Sequence, residues 1–268
     1  MKTILVTGST DGIGLATASQ LVQRGHRVLI HGRNQEKAKL ATSKVMTAGS
    51  GQALPVWGDL SMMSEVVELA NQVKKVGPEL DILINNAGVY MNQKKLSKDG
   101  FEMTFCVNHL AVHLLTHELL PLLKTRPRAR IVTVSSIAHQ KGHLDFDNLN
   151  GQKHFDGYEA YSVSKLCNVL FTRALAAILK NSPITANCLH PGVIDTKLLH
   201  AGFQIQGDTT EKGSEGSIFL ALDPTVESTT GGYFVNNKLT YPSRLAQDDN
   251  LTVQLWKKSE ELLRPWLS

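Results

Sequence analysis

Tyr161 and Lys165 stand four apart in Tyr161-Ser162-Val163-Ser164-Lys165, one helical turn from each other and on one face. A free phenol, with a pKa of about 10, exchanges protons poorly at neutral pH. An ammonium group beside it favours the phenolate and lowers that pKa. Such a pair can give or take a proton at a carbonyl or alcohol oxygen. Tyr158 is a weaker candidate, because Ser162 and not a lysine follows it four residues on. Spacing alone is also satisfied by two idle residues on a helix surface, so the meaning of the pair depends on the rest of the chain.

A second stretch points to a nucleotide. Thr7-Gly8-Ser9-Thr10-Asp11-Gly12-Ile13-Gly14 follows a strand-like run and opens a helical one. Glycines at such a turn let a pyrophosphate approach the backbone at a positive helix N-terminus. The spacing is Gly-x3-Gly-x-Gly, and no Gly-Lys-Ser/Thr follows, so this is not the loop of the P-loop nucleotidases. The second strand ends in His31-Gly32-Arg33-Asn34, with no acid until Glu36. An acid at that place commonly bonds the ribose 2′-hydroxyl of NAD, whereas an arginine suits a 2′-phosphate. Arg33 therefore favours NADP(H) as cofactor, with NAD(H) possible, although Asp11 puts a negative charge in the phosphate loop where a base would help.

These residues need a scaffold, and the pattern predicts one. Strands are expected at Thr3–Thr7, Val28–His31, Ala53–Trp57, Ile82–Asn85, Ile131–Ser135, Thr185–His190 and Tyr233–Val235. Helices are expected at Ile13–Arg24, Gln35–Met46 capped by Asn34, and Met62–Val76 capped by Ser61. Others are expected at Phe105–Lys124, which Pro121 could end early, and at Glu159–Leu179, Ser214–Ala221 and Leu251–Leu263. The alternation implies an α/β chain with a doubly wound parallel sheet of about seven strands and helices on both faces. No linker divides the 268 residues, so one domain over 1–268 is expected. The 42% apolar and 19% charged composition is that of a globular protein, and no run approaches the length of a membrane span. Cys106, Cys167 and Cys188 are odd in number and widely spaced, which reads as buried reduced thiols in a cytoplasmic setting. Net charge is only +4, and its one basic run, Lys124-Thr125-Arg126-Pro127-Arg128, falls where a helix gives way to a strand, so no nucleic-acid partner is expected. His139, His143 and His154 are too loosely spaced for metal ligands, and no metal is expected.

Taken together and in order, the motifs resemble the short-chain dehydrogenase/reductase family over nearly the whole chain. Thr7–Gly14 matches its cofactor loop, Asp59-Leu60 resembles its adenine contact, and Asn85-Asn86-Ala87-Gly88 matches its Asn-Asn-Ala-Gly segment. Asn108 corresponds to the family's catalytic asparagine, Ser136 to its catalytic serine (Ser135 being the alternative), and Tyr161 with Lys165 to its Tyr-x3-Lys pair. Pro191-Gly192-Val193, with Thr196 behind it, resembles the segment at the nicotinamide end. The resemblance implies a single-domain Rossmann fold and hydride transfer between a nicotinamide cofactor and a carbonyl or alcohol. Tyr161 is then the acid/base and Ser136 bonds the substrate oxygen. Lys165 lowers the phenol pKa and bonds the nicotinamide ribose, and Asn108 holds a water that links Lys165 to solvent.

Ser136 and Tyr161 are 25 residues apart, a wide gap for the family. That gap, with Val107-Asn108-His109-Leu110 and Ser164-Lys165-Leu166-Cys167-Asn168, resembles the retinol dehydrogenase and protochlorophyllide reductase branch. The branch implies NADP(H) and a small apolar alcohol or carbonyl substrate. Animal retinol dehydrogenases carry an N-terminal anchor, whereas this sequence starts at the first strand, so a membrane span is not expected. The other readings are a silent dinucleotide-binding sensor and reduction of a different substrate such as a tetrapyrrole. Residues 197–213 should form a substrate lid through Leu198, Leu199, Phe203 and Ile205. Leu110, Val112, Leu114, Leu115 and Leu119, with Leu166, Val169, Leu170 and Ala174, supply enough apolar helix surface to suggest a homo-oligomer.

Overall fold

The structure, a computed structural model, describes residues 1–47, 49–203 and 205–267. Its sheet is built from strands that are apolar and buried on both faces, as parallel strands between helical layers must be. β1 (Thr3–Val6) and β4 (Leu80–Asn85) are buried at every position, and β2 (Arg27–Gly32) at all but Arg27. With β3 (Gln52–Trp57), β5 (Ala129–Val134), β6 (Ile184–His190) and β7 (Tyr233–Val235) they pair in parallel in the order β3-β2-β1-β4-β5-β6-β7. An eighth strand, β8 (Lys238–Thr240), adds antiparallel at the edge. Sequence reading missed β8, which is three exposed residues long, although Asn236 and Asn237 before it take the positive φ values of a tight hairpin turn.

Helices α1 (Gly12–Gln23), α2 (Gln35–Met46) and α8 (Thr210–Leu222) bury their apolar stripes on one face, where Leu21, Val22, Val45 and Ala221 meet Ile4, Val28 and Ile84. The other face carries α3 (Met63–Val76), the short α4 (Met103–Phe105), α5 (Ala111–Lys124), α6 (Gly157–Ile178) and α9 (Asp249–Leu263). A small helix, α7 (Lys197–Gly202), lies between β6 and α8 in the segment expected to form a substrate lid, and Gln204 of that segment lies outside the described residues. Sheet order reverses between β1 and β4, which opens a crevice at the strands' C-terminal ends.

Three local expectations change. Ser61 does not cap α3; its hydroxyl donates to Asp59, and Met62 stands at the cap position without a side-chain bond. Pro121 does not end α5, which runs on to Lys124 because Leu119 and Leu123, on either side of it, are anchored in the core. The apolar residues of α5 and α6 that suggested an oligomer are all buried within the chain. Part of their cover is α9, whose Trp256 ring stacks on Phe171 of α6 and lies 4.4 Å from His113 of α5.

Candidate active site

The crevice holds one cleft of about 730 Å³ that runs from Arg33 and Asp59 at one end to Ser136 and Tyr161 at the other. Its cofactor half is made of backbone. Gly8 (φ +63°) and Gly12 (φ +55°) take left-handed conformations that turn the chain from β1 into α1. Gly14 admits no side chain at all, since a Cβ there would sit 2.2 Å from the Gly8 carbonyl oxygen and 2.5 Å from Asn86 Nδ2. Asn86 is bound into this turn, its Nδ2 donating to the Thr7 carbonyl at 2.8 Å and its amide to Thr7 Oγ1 at 2.9 Å. Thr10, Asp11, Gly12, Ile13 and Gly14 line the cleft together with Gly8, Asn86, Ala87 and Gly88. Ser9 does not: it is fully buried, donating to the Val6 carbonyl and accepting from the His31 amide.

His31 is a part of this cradle that sequence reading passed over. The Gly8 amide donates to Nδ1 at 2.9 Å, so the proton is on Nε2, which donates to the Gly58 carbonyl at 3.0 Å. One neutral imidazole thereby ties the glycine turn to the end of β3, and burial pushes its pKa down to about 4. Beyond the glycine turn the cleft is lined by Gly32, Arg33, Lys37, Asp59, Leu60 and Ser61. Asp59 is already engaged, its Oδ1 accepting from both the amide and the hydroxyl of Ser61. Lys37 was not singled out in the sequence; Asn34 caps α2 through the Lys37 amide and so fixes where that residue starts.

At the other end, helix α6 carries Tyr161 and Lys165 into the cleft, capped by Asp156 through the Glu159 amide. Lys165 Nζ lies 5.5 Å from the centre of the Tyr161 ring and donates to the Val134 carbonyl at 3.1 Å. Contrary to the simple expectation from spacing, the phenol pKa is not lowered. Burial pushes it up to about 12, against a hydrogen bond with Ser136 that lowers it, and burial also pushes Lys165 down to about 8. With the ammonium 5.5 Å from the ring centre, desolvation of the phenolate outweighs it.

Ser136, beyond the end of β5, and Ser135 both line this end of the cleft, but the Ser135 hydroxyl is spent on the Lys165 carbonyl, to which it donates at 2.8 Å. Beneath Ser136, buried His139 donates from Nδ1 to the Ser136 carbonyl at 2.7 Å and accepts the Ser243 amide on Nε2 at 3.0 Å. It is a strut holding the serine, a role its loose spacing from other histidines could not reveal. Asn108 sits in a single π-turn, Cys106–Leu110, that joins α4 to α5. Its side chain accepts the Val89 amide and donates to the Val89 carbonyl and Ser164 hydroxyl. A Cβ on Gly88 would lie 3.4 Å from Lys165 Nζ and 3.5 Å from Asn108 Oδ1, so the three residues converge behind the reacting end. Among the described residues no group of three or more His, Cys, Asp or Glu gathers as a metal site.

Pro191, Gly192, Val193 and Thr196 close the cleft from β6, and Leu198, Leu199, Phe203 and Ile205 of the following segment line it. This segment is held to the loop after β4 by rings. Tyr90 stands 5.6 Å from both Tyr161 and Phe203, and the Tyr158 ring meets Phe203 edge-on at 5.7 Å. Gly202 is needed there, since its Cβ would lie 2.8 Å from the Tyr90 ring.

A family profile described as short chain dehydrogenase matches residues 2–205. Human retinol dehydrogenase 11 is 38% identical over 272 residues, covering 98% of this chain and 86% of that protein. Mouse retinol dehydrogenase 13 is 36% identical over 279 residues, covering 98% and 84%. Among solved structures, an uncharacterized protein from Mycobacterium paratuberculosis superposes with a TM-score of 0.81 at 30% identity, covering 98% of this chain and 94% of that one. A 3-oxoacyl (acyl-carrier-protein) reductase from Agrobacterium tumefaciens C58, solved with NADP bound, shares the fold with a TM-score of 0.71 at 23% identity, covering 87% and 92%. No described helix is long and apolar enough to cross a membrane. With the match extending from the glycine turn through the Tyr-x3-Lys helix to the lid, the chain belongs to the short-chain dehydrogenase family, in its retinol dehydrogenase-like branch, and is a nicotinamide-dependent oxidoreductase of CH–OH or C=O groups.

Proposed function

We propose that the protein interconverts small apolar alcohols and carbonyls with NADP(H), in a cytoplasmic setting, with Tyr161 as acid/base. The observation that carries this reading is one continuous cleft in which a side-chain-free glycine cradle leads to Ser136, Tyr161 and Lys165. The cradle suits a dinucleotide: Gly8, Thr10, Gly12 and Ile13 would hold the diphosphate, Asp59 and Leu60 the adenine, and Gly88, Pro191, Gly192, Val193 and Thr196 the nicotinamide end. Bound NADP(H) would supply or accept the hydride. Arg33 and Lys37 both line the cleft beyond the glycine turn and form no ion pair among the described residues. Two unpaired cations there favour a 2′-phosphate over a bare ribose.

In reduction, the Ser136 hydroxyl steadies the substrate oxygen as charge develops on it. Tyr161 then delivers its proton to that oxygen, and a phenol pKa near 12 means that the proton is in place at neutral pH. Lys165 stabilises the phenolate left behind. In oxidation the same residues act in reverse, and Lys165 is needed more, because the buried phenol must first lose its proton. Asn108 holds the Val89 backbone beside Lys165; the ordered water that the family resemblance assigns to it would lie in this region. Tyr90, Phe203, Leu198 and Leu199 give the substrate end an apolar wall.

Titration with NADPH and NADH, followed by a panel of apolar carbonyls and alcohols, tests the reading directly. Tyr161→Phe should lower turnover by about 10²–10⁴-fold while cofactor affinity and melting temperature stay close to wild type. Full turnover in that variant would remove Tyr161 as acid/base. Arg33→Ala should weaken NADPH about tenfold or more and NADH little; equal losses would remove the 2′-phosphate role.

A further inference from the structure

The glycine turn carries the wrong charge for a diphosphate. Asp11 is the only ionisable residue from Thr7 to Gly14, and its carboxylate stands at the N-terminus of α1. In the structure that carboxylate is divided between two partners. Oδ1 accepts the Gly12 amide at 2.9 Å, and Oδ2 meets the Lys197 ammonium at 2.5 Å. Lys197 comes from the lid, 186 residues further along the chain, and is the first residue of α7. Its neighbour Thr196 caps that helix through the Leu199 amide, and the Thr196 methyl would lie 3.4 Å from a Cβ on Gly12. Lid and phosphate turn therefore meet at two adjacent points, and Asp11, Gly12, Thr196 and Lys197 all line the main cleft.

The ion pair is not there to hold the fold. The side chains are 90% and 58% exposed, and pairs in that setting add little to stability. Its placement has a different consequence: the four-carbon stem of Lys197 puts a cation at the edge of a turn that opens the N-terminus of α1 but whose only side-chain charge is negative.

We propose that Lys197 is a cofactor-binding residue delivered by the lid, sharing its ammonium between Asp11 and the dinucleotide's diphosphate. The proposal rests on the reading of this cleft as a dinucleotide site and adds to it a residue and a coupling. With the diphosphate bound, opening the lid removes the cation and leaves Asp11 facing phosphate. Closing the lid over substrate and retaining the cofactor are thus one event, and α7 is held to the glycine turn most firmly when the cleft is loaded.

The test is a set of binding titrations at low ionic strength with NADPH, NADH, ADP-ribose and adenosine 2′-monophosphate. Lys197→Gln is expected to weaken the three diphosphate-containing ligands alike, by about 5- to 10-fold, and to leave adenosine 2′-monophosphate unchanged. The loss should shrink as salt is raised to about 0.5 M, since both partners are exposed. Adding Asp11→Asn to Lys197→Gln should restore most of the affinity, because the uncompensated carboxylate is then gone. Wild-type affinity of Lys197→Gln for NADPH and ADP-ribose overturns the proposal while leaving the cleft's reading intact. A double variant as weak as the single also overturns it, since Lys197 would then not act by offsetting Asp11. If the wild-type protein binds neither NADPH nor NADH, the reading of the cleft fails and this inference with it.

Discussion

The two walls of the cleft are built on different physical terms. Around the glycine turn, Gly8, Gly14, Asn86 and His31 are held by close backbone contacts and by hydrogen bonds across the turn that leave little room for adjustment. On the other side, α7 is held by ring contacts to Tyr90 and by the Gly202 notch, with exposed polar contacts of Asp11 to Lys197 and of Asp195 to His200 at its surface. A rigid wall suits a ligand common to every turnover. A wall of side chains can yield, which suits substrate entry and release. Between them lies Lys165, which is buried and whose ammonium, among the described residues, carries no ion pair and donates one hydrogen bond, to the Val134 carbonyl.

The largest expected effect breaks the rigid wall. Gly14→Ala forces a Cβ against the Gly8 carbonyl and Asn86, and no side-chain rotation relieves it. A loss of about 3 kcal/mol in unfolding free energy is expected, together with loss of measurable cofactor binding. Near-normal stability and binding would show that the turn has more give than its contacts allow.

The next variant sharpens the contrast at the floor of the cleft. Burial pushes Lys165 from 10.5 in the unfolded chain to about 8 in the folded protein. Between those values the unfolded state binds more protons, so this residue's cost to stability is full below about pH 8 and fades as the pH rises to about 10.5. Lys165→Met should therefore be inactive yet more stable at pH 7, by up to about 3 kcal/mol. Asn168 continues to bond the Val134 carbonyl in that variant. The difference from wild type should narrow on raising the pH from 8 to 10.5, as read by denaturant unfolding at several pH values. A less stable variant would mean that Lys165 holds the fold as well as serving the site.

The smallest effect is expected at the lid. Phe203→Ala removes a ring that bridges Tyr90 and Tyr158 without touching the backbone cradle. The KM for an apolar carbonyl should rise by about 5- to 10-fold, with cofactor affinity unchanged. A change in cofactor affinity as large as that in KM would mean that the two walls are not mechanically separate.

What could be read from residues alone divides along the same line. Thr7–Gly14, Tyr161 and Lys165 stood out because each answers to a local rule, a positive φ or a helical turn, whereas Asn86 and Ser136 stood out only through the motifs of the family the sequence resembles. His31, His139 and Tyr90 did not, since each meets a partner distant in sequence, as His31 does Gly8, and the same holds for the contact of Lys197 with Asp11. Asp11 is the instructive case: in the sequence it weighed against a phosphate, and its cation becomes visible only once α7 is folded back onto α1. The apolar stripes of α5 and α6 were equally ambiguous, because periodicity reports that a face is buried but not by what. The covering helix α9 is supplied from the far end of the chain.

The chain's sequence by itself determined the order of strands and helices, the glycine turn and the Tyr-x3-Lys helix, because these depend on backbone geometry over a few residues. Tertiary structure decided the charge balance at the phosphate turn, the protonation of the reacting groups and the shape of the substrate end. Those depend on desolvation and on which distant side chains are brought within a few ångströms. That is why Lys165, placed four residues from Tyr161 to lower its pKa, lies instead over a buried phenol whose pKa has risen to about 12.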